Sequence, residues 1–324
     1  MKIIFWSGKL NNCGPDNVTK QYLKNLDDSF VEIKSTHKYN RFFEAVWKLS
    51  SSDIIVASGV SKSGALLFGL ARLLRKKAVY IMHGCARHEM QLNKTPCSKK
   101  ALLQEAYLIK YSSLVLPVSK QFMNWVKANY PEYAYKTKYL FNGINQELLP
   151  KWRQSQDRRE GVIAAGGDRR QKMNEELSMA VESLDGLTNL TIYGGLDRPH
   201  DEYLRYTKYA GKIPYDQLMQ RLSQAKLLVL NSVFEPFSLV AIEALMCGCS
   251  VLLSEKAGVT DLLELEECDL IHDPENIKEI QQKIRYLLEH PNNQRIMEKL
   301  DVDDHSYPKQ VQRLKNICLE LLEQ

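Results

Sequence analysis

Long hydrophobic runs are missing from this 324-residue chain. None approaches the roughly 18 apolar residues of a membrane-spanning helix, and Ile3-Ile4-Phe5-Trp6 is too short for the core of a signal peptide. A cytoplasmic protein is expected. The seven cysteines, at 13, 85, 97, 247, 249, 268 and 318, are odd in number and contain no C-x2-C pair. That argues against a zinc module and a disulfide framework, and reduced thiols are expected. Internal repeats and low-complexity tracts are also missing, and 16 Gly, 11 Pro and 44% hydrophobic residues fit a folded globular chain. Acid is scarce in one half only. Residues 1–150 carry 22 Lys+Arg against 10 Asp+Glu, a net of +12, whereas residues 151–324 carry −7. The basic half should face something anionic, such as phosphate groups, a membrane surface or nucleic acid; scattered solvated lysines would give the same count.

What is present is a rhythm. Short apolar strands at Lys2 to Trp6, Asp53 to Ala57, Ala78 to Met82, Leu114 to Val118 and Lys138 to Phe141 alternate with amphipathic stretches. That alternation predicts a parallel sheet covered by helices. Gly14 and Pro15 should open the first helix. A polar stretch, Lys151 to Glu160, resembles a linker, dividing the chain into domains 1–150 and 161–305 with a helix over 306–324. The second half repeats the rhythm, with strands at Val162 to Ala165, Leu190 to Tyr193, Leu227 to Leu230 and Ser250 to Leu253, and helices from Asn174, Tyr215, Pro236, Asn276 and Pro308. Two doubly wound α/β domains would present the carboxyl ends of their strands to one ligand cleft.

The most informative segment is Asn231-Ser-Val-Phe-Glu-Pro-Phe-Ser-Leu-Val-Ala-Ile-Glu-Ala-Leu-Met-Cys-Gly248. A helix from Pro236 to Gly248 would leave the amides of Phe237, Ser238, Leu239 and Val240 without helical acceptors, a site for a phosphate at the positive end of the helix dipole. Glu235 and Glu243 would stand about 12 Å apart if both were helical, one at each end of a bound diphosphate. The blander assignment has Glu235 favouring the helix start and Glu243 in a surface ion pair.

Two glutamates flanking seven residues in this context resemble the signature of the retaining glycosyltransferases of family 4, which have the GT-B fold. Further segments match in the family's order: Val118-Ser119, Phe141-Asn-Gly-Ile-Asn145, Tyr193-Gly-Gly195, Ala210-Gly-Lys-Ile213 and Ala257-Gly-Val-Thr-Asp261. The resemblance implies two Rossmann-like domains facing across a cleft, with a C-terminal helix that could cross back to the first. It also assigns roles. Glu235 would contact the transferred sugar together with Phe237 and Ser238, Glu243 would hold the ribose, and Leu239 and Val240 the diphosphate. Lys172, in Gly166-Gly-Asp-Arg-Arg-Gln-Lys172, matches a lysine that grips the diphosphate. Gly167 stands where the family has an arginine, so Arg169 or Arg170 would have to replace it. His83 matches a histidine beside the donor sugar, with His88 and Glu89 further along a loop, and Gly14 would let the backbone approach the donor phosphate.

By this resemblance the chain moves a hexosyl-type sugar from a nucleotide diphospho-sugar to a glycan or lipid-linked acceptor, with retention, in polysaccharide or other glycan assembly. No cofactor and no metal are expected, and nucleic acid is not expected as a partner. Asp301-Val-Asp303 spells a metal-binding D-x-D but falls between C-terminal helices. Rivals are a sugar-nucleotide epimerase or hydrolase of the same fold and an inactive partner of an active transferase. Neither base, sugar nor acceptor is legible. Peripheral contact with an anionic membrane could run through Arg72, Arg75, Lys76, Lys77, Lys94, Lys99 and Lys100, with Phe42 and Trp47 as anchors. The helical spacing of Phe42, Phe43, Val46 and Trp47 favours core packing instead.

Overall fold

The computed structural model describes residues 1–8, 14–35, 37–96, 98–148, 159–167, 169–195 and 204–324. Backbone proximity divides the chain into two units. The first comprises residues 1–91, 95–145 and 302–324, and the second residues 92–94 and 146–301.

The sheet of the first unit has four parallel strands in chain order, β1 (Ile3–Ser7), β2 (Ile54–Ser58), β3 (Lys77–Met82) and β4 (Leu114–Pro117). Nearly every strand residue is buried, as a sheet covered on both faces requires. Helices α1 (Gly14–Lys24), α2 (Lys38–Leu49), α3 (Lys62–Leu73), α4 (Ala86–Asn93), α5 (Lys99–Tyr111) and α6 (Lys120–Asn129) connect the strands or follow the last. Ser61 and Ser119 cap α3 and α6, their side chains accepting the amides of Gly64 and Phe122 at 3.0 Å each. The last helix of the chain, α12 (Tyr307–Glu323), belongs to this unit and packs on α1 and β3. Gly143 makes its approach possible, because a Cβ there would lie 2.7 Å from the Cα of Tyr307. Beside it the Ile144 amide donates to the His305 carbonyl at 2.8 Å.

Two expectations for this unit fail. No strand forms over Lys138 to Phe141: the amides of Lys138 and Leu140 donate to the carbonyls of Val115 and Pro117 at 3.1 and 3.0 Å, but Pro117 has no N–H to return. The segment stays an irregular edge. The apolar residues of α2 do not all enter the core. Phe42 packs edge-on to Trp6 with ring centroids 6.4 Å apart, but Phe43 and Trp47, four residues apart on the outward side, are exposed.

The second unit holds β5 (Val162–Ala165), β6 (Leu190–Tyr193), β7 (Thr207–Gly211), β8 (Leu227–Leu230), β9 (Ser250–Ser254) and β10 (Leu270–Ile271), with α7 (Asn174–Glu182), α8 (Tyr215–Gln224), α9 (Leu239–Met246), α10 (Ile277–Glu289) and α11 (Asn293–Lys299). Its parallel strands run in the order β10-β9-β8-β5-β6-β7. Val162, Ile192, Leu227, Val229 and Leu252 of the sheet pack with Leu177 and Val181 of α7 and Ile280 and Ile284 of α10 in one buried cluster. The chain steps outward in one direction through β6 and β7, then returns to lay down β8, β9 and β10 on the other side of β5. Strand order therefore reverses between β5 and β8, the place where such sheets open a crevice at their carboxyl ends.

Within the polar stretch expected as a linker, residues 151–158 lie outside the described residues. Arg159 is buried, its guanidinium donating to the Cys247 carbonyl at 2.7 Å, and the Glu160 amide donates to the Gln224 carbonyl at 2.8 Å. Both residues are part of the second unit's packing.

Candidate functional site

The reversal between β5 and β8 brings two loops side by side. After β5 come Gly166 and Gly167, both with positive φ (111° and 85°), whose amides share the Tyr193 carbonyl at 3.1 Å each. A Cβ on Gly167 would meet the Gly195 carbonyl oxygen at 2.7 Å, so the glycine turns ending β5 and β6 pack backbone to backbone. This explains why no arginine stands at position 167. Arg169 and Arg170 are exposed, and Asp168 lies outside the described residues. A short 3-10 turn, Arg170–Lys172, then carries Lys172 past Gly166, where a Cβ would sit 3.3 Å from its Nζ.

The loop after β8 receives that turn. Gln171, buried, donates from Nε2 to the Phe234 carbonyl at 3.3 Å and accepts the Val233 amide at 3.0 Å through its own carbonyl. Asn231 Nδ2 bridges the carbonyls of Met173 and Pro274 at 3.1 and 2.9 Å, and Asn174 Nδ2 donates to the Gly167 carbonyl at 2.9 Å. The two loops are thus one rigid cradle, in which Lys172 forms an ion pair with Glu235. Gln171 and Asn231 escape motif reasoning because each works through amide hydrogen bonds whose partners are distant in sequence; Asn174, whose partner is seven residues away, belongs to no motif.

Helix α9 begins at Leu239 rather than near Pro236. Glu235 pairs in extended conformation with Ala257, and the Gly258 amide donates to the Glu235 carbonyl at 2.8 Å. Ser238 is also extended (φ 174°) and makes no side-chain cap. The helix start is therefore displaced by three residues. The amides of Leu239 and Val240 remain first-turn donors, whereas Phe237 precedes the helix. Glu235 is not helical, so the 12 Å axial spacing to Glu243 does not apply. Glu243, one turn into α9, accepts from the Tyr215 hydroxyl at 2.8 Å. Burial raises its carboxyl to about 7, against the lowering effect of the tyrosine. Glu243 is thus a carboxylate held largely out of water with one hydroxyl donor.

His83 lies in the first unit, just beyond the end of β3. Its Nε2 is 2.9 Å from the Ser58 hydroxyl at the end of β2, and Ser58 is 2.8 Å from the Thr19 hydroxyl of α1. Burial lowers its pKa to about 4 although Asp16 pulls upward, so the imidazole is neutral and serves as a hydrogen-bonding group. The turn after it is fastened by Glu105, a buried carboxylate of α5 that accepts the amides of Ala86 and Arg87 at 2.8 and 3.3 Å. His88 and Glu89 are not in a loop but in α4, where the His88 ring packs on Trp125 at 4.7 Å. Gly14 opens α1; the loop before it, residues 9–13, lies outside the described residues. Asp301 and Asp303 lie in the segment between α11 and α12, Asp303 within its turn.

The second unit thus carries a loop cradle at the β5/β8 reversal, the first-turn amides of α9 and the desolvated carboxylate of Glu243. Residues 150–300 match the family model described as Glycosyl transferases group 1. The uncharacterised glycosyltransferase MJ1607 of Methanocaldococcus jannaschii is 28% identical over 190 residues, which cover 52% of this chain and 49% of that protein. The match thus spans about half the length of that relative. The crystal structure of Anabaena Alr3699/HepE in complex with UDP and glucose aligns with a TM-score of 0.71 at 15% identity, over 99% of this chain and 100% of that one. Sucrose-phosphate synthase from Thermosynechococcus elongatus aligns at 0.67 and 17% identity, over 99% and 97%. The fold is GT-B, and residues 150–300 are similar to the glycosyl transferases group 1 family.

Proposed function

We propose that the protein is a retaining glycosyltransferase that takes a hexosyl group from a nucleoside diphosphate sugar, without a metal ion, and attaches it to a hydroxyl of a glycan or lipid-linked acceptor. The observation that carries this reading is the Lys172–Glu235 ion pair, set in the cradle beside the first-turn amides of α9. As the bond between the anomeric carbon and the diphosphate breaks, negative charge grows on the leaving phosphate. The Leu239 and Val240 amides meet that charge from positions already fixed, where preorganised donors lower a barrier most, and Lys172 joins them once the donor is bound. Donor entry draws Lys172 from Glu235 to the phosphate and frees the Glu235 carboxylate for the sugar hydroxyls, with Ser238 beside it. Ionised Glu243 accepts the ribose hydroxyls. Arg169, Arg170 and Gly14 are secondary candidates for phosphate contacts, and neutral His83 for a hydroxyl of the sugar. HepE was crystallised with UDP and UDP-glucose, so a uridine donor heads the trial.

The test is thermal shift against UDP-, GDP- and ADP-sugars, followed by product analysis in EDTA. A donor at about 100 times its dissociation constant should add about 2.7 kcal/mol to stability. The product should carry the donor's anomeric configuration. Absence of any donor-dependent shift, an inverted product or a reaction that only manganese or magnesium restores would refute the respective part.

A further inference from the structure

Helices α2, α3 and α5 lie side by side in the first unit, α2 on β1, α3 on β2 and β3, and α5 on β3. Their outward residues form one surface. It is apolar where solvent-facing helices are normally polar: Phe43 is 67% exposed, Trp47 75%, Leu66 51%, Leu73 80% and Leu103 70%. A patch of this kind on a folded protein marks a contact surface. Its charge is one-sided. Residues 62–77 contain five cations and no carboxylate. Of the two carboxylates on these helices, Glu105 is buried under α4, and Glu44 is held by Lys48 and the amides of Lys34 and Ser35. At the seam of α3 and α5, Arg72 and Lys110 both lie over the Tyr111 ring, at 4.7 and 5.3 Å.

We infer that this face docks on a bilayer rich in anionic phospholipid, with Phe43, Trp47, Leu66, Leu73 and Leu103 entering the acyl boundary and Arg72, Arg75, Lys99, Lys100 and Lys110 in the headgroup layer. Aliphatic and aromatic side chains ringed by lysine and arginine are the chemistry of an interfacial anchor. A second copy of the chain fits less well, since a two-fold contact would set these cations against themselves. No helix among the described residues is long and apolar enough to cross a membrane. Docking places Phe43 and Trp47, not the inward-packed Phe42, at the lipid. Lys94 falls in the second unit, outside this face.

The experiment is co-sedimentation of the full chain with vesicles of phosphatidylcholine alone and of equal parts phosphatidylcholine and phosphatidylglycerol. Binding is expected to the second only, with release at about 1 M salt, where the screening length falls to about 3 Å. Replacing Arg72, Arg75, Lys99 and Lys100 together by Gln should lower the partition coefficient at least about tenfold. Trp47→Ser should abolish a vesicle-induced blue shift of tryptophan emission, and unchanged melting of both variants would show that they fold. Equal binding to neutral vesicles, binding that survives both variants, or no binding at all would overturn the inference. So would lipid-independent self-association dispersed by Trp47→Ser, or preferential binding of single-stranded nucleic acid.

Discussion

Glu243→Gln should make the protein more stable and the donor bind more weakly. Burial raises the carboxyl from 4.5 to about 7. A folded-state value above the unfolded one means that the folded state holds the proton more tightly. The resulting stability is therefore fully present below pH 4.5 and is lost as pH rises through about 7. Each unit of displacement corresponds to about 1.4 kcal/mol, so ionised Glu243 costs the folded state up to about 3 kcal/mol at pH 8. Residual contact with water screens part of this, leaving about 2 kcal/mol for glutamine to recover. The glutamine oxygen can still accept from Tyr215. For a domain of this size the gain raises the melting temperature by about 4–8 °C at pH 8 and by nearly nothing at about pH 4. Donor affinity should move the other way, because a charge-assisted hydrogen bond is worth about 1.5–3 kcal/mol, or roughly ten- to hundredfold. Scanning calorimetry at the two pH values, with and without donor, reads both effects. A variant no more stable than wild type at pH 8 would refute the burial argument; unchanged donor affinity would refute the ribose assignment.

Lys172→Ala should lower turnover by about a hundredfold or more, because it removes charge stabilisation aimed at the leaving phosphate. Glu235→Gln should chiefly lower turnover, whereas loss of Glu243 chiefly raises KM; steady-state kinetics showing equal KM effects with turnover untouched would contradict that division. Gly167→Arg, which restores the arginine that the family signature expects, should cost about 1–3 kcal/mol of stability without improving donor affinity, since position 167 has φ 85° and the Gly195 carbonyl occupies the Cβ site. Chemical denaturation checks it, and a stable, tighter-binding variant would contradict it. Because His83 stays neutral above about pH 4, the pH–rate profile should contain no inflection near 6.5 that His83→Gln removes.

Local pattern determined much of this protein. The buried runs Ile54 to Ser58 and Leu227 to Leu230 announce parallel strands because both faces are covered, and Gly248 stops α9 because a left-handed residue must close the helix. The segment from Asn231 to Gly248 announces a strand end, a loop and a helix by residue order alone. Sequence spacing could not reveal that β5 and β8 are neighbours. That adjacency, which comes from strand order, joins Lys172 to Glu235 across 63 residues and enlists Gln171 and Asn231. The start of α9 also depended on a distant partner: Pro236 is compatible with a helix, but Glu235 pairs with Ala257 and the helix begins only at Leu239. Periodicity placed Phe43 and Trp47 on a stripe with Phe42 but could not say how wide the buried face is. Only the packing of α2 on β1 and α3 decided which aromatics turn inward and which meet solvent, because burial is a property of the neighbours a residue finds and not of its own side chain.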